Sequence, residues 1–150
     1  MMKKDGRENL YMAEVNVSTE DIIIGRAFRD QLTDIGELAE ENGLVTIQGL
    51  VDGIETRELR EGTVLLRTVV VKDKTGSVPC KCFLNCRRRN HDSEKDGSIT
   101  EDDKAAVMNK VNRIAVGMIV TVRGECTYDI DTGELYILIR DLAGADKKAL

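Results

Sequence analysis

Leu44-Val45-Thr46-Ile47-Gln48-Gly49-Leu50-Val51-Asp52-Gly53-Ile54-Glu55-Thr56-Arg57-Glu58-Leu59 is long for a single strand, yet it carries a strand's alternation. Val45, Ile47 and Val51 fall on one face while Thr46, Gln48 and Asp52 take the other, the period of two expected of an extended chain. Gly49 and Gly53 interrupt the middle, where glycine marks a bulge or a sharp bend. A long first strand bent at glycine suits a small closed barrel, in which one strand pairs with different neighbours on the two sides of a corner.

The strand's end, Glu55-Thr56-Arg57-Glu58-Leu59-Arg60-Glu61-Gly62, puts exposed charge on a tight turn between two apolar runs. Residues 64–72, dense in β-branched side chains, read as the second strand of a hairpin turning at Arg60-Glu61-Gly62. Asp73-Lys74-Thr75-Gly76 is the next turn. Residues 77–84 then alternate, with Val78, Cys80, Cys82 and Leu84 on one face and Pro79, Lys81 and Phe83 on the other. Pro79 calls for a bulge or an unpaired edge.

Residues 87–103 form a charged loop opening with Arg87-Arg88-Arg89. Thr100 and Asp103 then resemble a capping box, and Val107, Val111 and Ile114 recur at helical spacing, which predicts a helix over about residues 101–113. Residues 119–127 alternate again. Asp131-Thr132-Gly133 is a hairpin turn, and Leu135, Ile137 and Ile139 line a fifth strand.

Three strands, a helix and two strands is the order of the five-stranded oligonucleotide/oligosaccharide-binding (OB) barrel. The expected fold class is therefore all-β with one helix, an OB-fold barrel with an extended N-terminal arm. Another small barrel or an α+β sandwich is the competing architecture. The expected organisation is a flexible N-terminal tail at 1–20, a lead-in at 21–43 with a short turn of helix before Gly43, the barrel at 44–142 and a C-terminal tail at 143–150.

Composition narrows the function. A chain of 150 residues fits one domain. With a formal net charge of -5, 3% aromatic residues and no Trp, any nucleic-acid surface is a local basic patch on an acidic whole. No apolar run approaches the roughly 20 residues that cross a bilayer, and residues 1–10 are too polar for a signal peptide, so a cytoplasmic protein with no membrane partner is expected. Cys80, Cys82, Cys86 and Cys126 are expected as reduced thiols, because their spacing does not form the paired knuckles of a structural zinc site. His91, the single histidine, sits among Arg89, Asn90 and Asp92 and reads as an exposed polar residue. No phosphate-cradling Gly-rich loop, nucleophile elbow or zinc-helix motif is present, so neither catalytic nor metal-binding residues nor a cofactor are expected.

The basic residues carry the signal. Arg57 and Arg60 flank the first hairpin turn, Arg67 and Lys72 lie on the second strand, and Lys81 and Phe83 share a face of the third. The surface of strands two and three holds single strands in OB barrels, cations following phosphates while rings stack on bases. With Arg123 on the fourth strand, Arg57, Arg60, Arg67, Lys72, Lys81 and Phe83 are the candidate contacts. One platform implies weak, salt-dependent binding of single-stranded DNA.

A family resemblance adds to this. Val45-Thr46-Ile47-Gln48-Gly49, the Glu55 to Gly62 turn, Leu65-Leu66, Asp73, Thr75, Lys81-Cys82-Phe83 and Gly117-Met118-Ile119-Val120-Thr121-Val122-Arg123-Gly124 together resemble the barrel domain of the PolC-type DNA polymerase III alpha subunit. Asp21-Ile22-Ile23-Ile24-Gly25-Arg26 resembles that family's lead-in, and the likeness covers about residues 21–141. It implies an accessory single-strand-binding domain of a replicative polymerase, as an excised piece or a free-standing relative, and no catalysis by this segment. The chain departs from the family in a second strand one residue longer, in Lys74 where an aromatic residue is common, and in the long loop at 87–103. Docking on other replication subunits, and anticodon-type RNA binding, are the alternative functions.

Overall fold

A computed structural model describes residues 14–61, 63–85, 109 and 112–145. Eight strands are present among them: β1 (Glu14–Val17), β2 (Ile22–Ile24), β3 (Phe28–Gln31), β4 (Leu44–Leu59), β5 (Val64–Asp73), β6 (Gly76–Asn85), β7 (Ile119–Tyr128) and β8 (Leu135–Ala145). The last five are the strands expected from the alternation, with β8 running further than the sequence indicated.

β4 hands over from one partner to another along its length. Leu44 to Leu50 pair antiparallel with β7, and Leu50 to Leu59 pair antiparallel with β5, with a register shift between Val51 and Gly53. Gly49 sits where β4 and β5 approach closely, since a Cβ there would stand 2.3 Å from the Lys72 carbonyl oxygen. β5 pairs antiparallel with β6, β6 pairs parallel with β8 at Cys80 and Lys81, and β8 pairs antiparallel with β7. The order β4-β5-β6-β8-β7 thus returns to β4, closing a ring of five strands.

Pro79 stands opposite Val70 without a register shift. The ladder to β8 involves only Cys80 and Lys81, so at Pro79 the other edge of β6 has no strand partner among the described residues.

The ring fills its interior with β-branched and aliphatic side chains. Ile47, Val51, Val69, Val71, Val120, Val122, Ile137 and Leu142 are fully buried there. Each such side chain contributes about 1.5–3 kcal/mol by leaving water.

Three short strands precede the ring among the described residues from 14 to 31. β1 pairs antiparallel with β3, and β2 joins the edge of β8 through Ile22 with Ala143 and Ile24 with Leu142. Ile35–Glu37 and Glu40–Asn42 form single 3-10 turns before β4. Val17 and Phe28 pack with Ala143 in a second, smaller apolar cluster on the outside of the ring.

The helix expected over about residues 101–113 lies almost wholly outside the described residues; Asn112 and Arg113 form a turn. No helix among the described residues is long and apolar enough to cross a membrane.

Candidate nucleic-acid interface

Cross-strand register assembles one outer face from β4, β5 and β6. Residues directly opposite one another in an antiparallel ladder share a face. Arg57 therefore lines up with Leu66 and Phe83, and Glu55 with Thr68 and Lys81. Alternation places Leu65, Val69 and Cys80 on the core side and turns these six outward. A shallow cleft of about 180 Å³ runs between the rows, lined by Arg57, Leu66, Thr68 and Lys81 among others. Phe83 is 52% exposed, an open ring in the same row as Arg57 and Leu66.

The parallel pairing of β6 with β8 brings in Tyr136. The Lys81 ammonium stands 4.6 Å from the centroid of the Tyr136 ring and 3.6 Å from Asp129 Oδ2 in the β7–β8 hairpin. N–H groups of Asp131 and Thr132 hold the Asp129 carboxyl below its ordinary pKa, so it keeps its charge opposite Lys81. Sequence reading missed Tyr136. Its only signal is its outward phase between Leu135 and Ile137, and its nearness to Lys81 depends on a pairing between strands distant in the chain.

Arg60 stays near this face, exposed in the β4–β5 turn with a positive φ of 53°, followed by Glu61 at 57°. The Thr63 N–H donates to the Arg60 carbonyl at 3.1 Å and closes the turn. Lys72 lies on the same outer face of β5, at its far end, and pairs with Asp52 at 3.4 Å.

Two expected contacts are placed elsewhere. Arg67 is 7% exposed, on the core-side phase of β5 with Leu65 and Val69, and its guanidinium donates to Thr56 Oγ1. Burial lowers its pKa from the ordinary value. The period of two that sends Val69 and Val71 into the core takes Arg67 with them and away from Arg57 and Lys81. Arg123 sits under the N-terminal strands. Its Nη2 and Nε donate to Asp141 Oδ2 at 2.8 and 2.9 Å, and the guanidinium covers the Phe28 ring at 4.8 Å. Those bonds hold it in the scaffold.

Cys80, Cys82 and Cys126 are buried and in no disulfide. Burial pushes the Cys80 thiol up, and the neighbouring Cys126 adds to it, so Cys80 stays protonated and inert. Among the described residues no group of three or more His, Cys, Asp and Glu is placed to hold a metal ion. Cys86 and His91 lie outside the described residues.

No protein-family model matches the chain. Over 123 residues, 82% of its length, it is 31% identical to the DNA polymerase III PolC-type of Clostridium perfringens. The chain is related to a segment of PolC-type DNA polymerase III. It is 28% identical over 123 residues to the PolC-type polymerase of Oceanobacillus iheyensis, and it spans 7% of the length of each of these relatives. A solved structure with a similar trace is the second OB-fold domain of replication protein A from Methanococcus maripaludis. It is 18% identical, with a TM-score of 0.46 over 77% of this chain and 95% of that one.

Proposed function

We propose that this chain is a non-catalytic OB-type module that holds single-stranded DNA beside a replicative polymerase of the PolC type. One observation carries the reading: Arg57, Lys81, Phe83 and Tyr136 converge on one outer face of β4, β5, β6 and β8. The middle strands of an OB barrel offer that surface to oligonucleotides. Arg57 and Lys81, with Arg60 at the turn, meet phosphates, while Phe83 and Tyr136 offer faces to bases. Stacking contributes about 1–3 kcal/mol per base and needs no particular sequence. Glu55 and Glu134 line the same cleft and Asp129 pairs with Lys81, and these acids keep binding weak.

Titrating a labelled oligothymidylate at low salt and following its anisotropy tests this. Phe83→Ala is expected to weaken binding about tenfold, equivalent to about 1.4 kcal/mol. Stronger binding to duplex or structured RNA than to single-stranded DNA overturns the assignment. A protein-docking role is favoured by Ile130, 94% exposed at the tip of the β7–β8 hairpin, if the oligonucleotide does not bind at all.

A further inference from the structure

The outer face of β5 does not end at the cleft. Leu66, Thr68, Val70 and Lys72 follow one another on it, and at about 3.3 Å per residue Lys72 stands roughly 20 Å from Leu66. There the segment after β3 crosses the ring and leaves a cavity of about 470 Å³. Its size falls within the range of pockets that take a small organic ligand.

The lining is specific in kind. Leu32 and Leu50 supply apolar surface, and the Lys72 and Lys74 side chains supply positive charge. Gln48 is oriented by donating from Nε2 to Thr121 Oγ1 at 2.8 Å. Two carboxylates are also present. Asp73 is turned into its own loop, where it accepts from the N–H groups of Ile35, Thr75 and Gly76 and from the Thr75 hydroxyl. Asp34 remains at the wall, an acceptor for ring or amino N–H groups. The Lys72 pairing with Asp52 is half exposed on both sides, and such a pair is worth about 0–1 kcal/mol, so a phosphate can displace it.

Apolar surface, oriented polar groups and two ammonium groups within one cavity match a nucleotide better than a bare anion, which has no use for the leucines. We infer that this cavity takes one nucleotide of the strand held on the neighbouring cleft, its base against Leu32 and Leu50 and its phosphate between Lys72 and Lys74. The inference rests on the function proposed above. The span from Phe83 to Lys72 corresponds to on the order of six nucleotides stacked at about 3.4 Å each, and fewer if stretched, within the site sizes of about 4–16 known for such barrels.

The test is an NMR titration of the full chain, labelled at leucine methyls and phenylalanine rings, with an oligothymidylate of about eight nucleotides. Leu32, Leu50 and Phe83 signals are all expected to shift. In the double variant Lys72→Ala with Lys74→Ala the leucine shifts are lost, affinity falls about tenfold and the Phe83 shift persists. If Phe83 shifts while Leu32 and Leu50 stay still in the wild type, the cavity is not part of the path and this inference falls alone. If Phe83 does not respond, the proposed function falls and the inference with it.

Discussion

Asp141 ties the N-terminal strands to the ring. Its side chain is 5% exposed, Oδ2 takes both Arg123 donors and Oδ1 takes the Arg26 N–H at 2.8 Å. Gly25, with a positive φ of 87°, makes room for that approach, since a Cβ would stand 2.2 Å from Asp141 Oδ1. Removing the acid strands a largely buried guanidinium and an amide, so Asp141→Ala is expected to cost roughly 2–4 kcal/mol in urea unfolding. Arg123→Ala is expected to destabilise as well, without changing oligonucleotide affinity relative to the folded fraction. Asp73 gives a pH signature. Burial alone would raise its pKa, but hydrogen bonds from Thr75, Ile35 and Gly76 overrule that and hold it below the ordinary aspartate value. A depressed carboxyl stabilises the fold above its unfolded pKa and loses that contribution as pH falls through the folded value. Asp73→Asn is therefore expected to be less stable than wild type at pH 7, with the gap narrowing below about pH 4, as thermal melts across pH would show. At this scale the sequence was partly readable. Val78 and Cys80 set the phase that turns Lys81 and Phe83 outward, whereas β5 has apolar residues on both faces and hid the inward turn of Arg67. Arg123 misled because its partners, Asp141 and Phe28, lie on other strands.

The strand that decides the fold is β4, and its two glycines do different work. Gly49 lies against the backbone of Lys72, where a methyl group meets a carbonyl oxygen that cannot withdraw without disturbing the ladder. Gly53 marks the register shift but has open space, its nearest neighbour being Val70 at 4.0 Å. Gly49→Ala is thus expected to cost about 1–3 kcal/mol, and Gly53→Ala about 0.5 kcal/mol or less, in matched denaturant curves. The alternation of β4 to β8 made these strands legible, as did the glycine break. β1, β2 and β3 were not, being three or four residues each, and Ile22-Ile23-Ile24 reveals an extended run without revealing that Leu142 and Ala143 pair with it. Short strands draw their stability from tertiary partners, which local sequence does not name.

For the whole molecule, the net charge of -5 opposes a polyanion, so any strand-binding surface works against the long-range field and is confined to a patch. The patch on β4, β5, β6 and β8 has the local cations to do so, and salt is the variable that separates such a contact from apolar docking. Oligothymidylate affinity measured across a salt series tests the account most directly. The three cleft contacts, by Arg57, Arg60 and Lys81, contribute about -2 to the log–log slope beyond what Lys72 and Lys74 add, and Arg57→Ala with Lys81→Ala is expected to make the slope shallower by about 1.4 while the fold persists. A slope that is unchanged in the double variant, or affinity indifferent to salt in the wild type, would contradict the claim that this face meets the phosphates of a single strand.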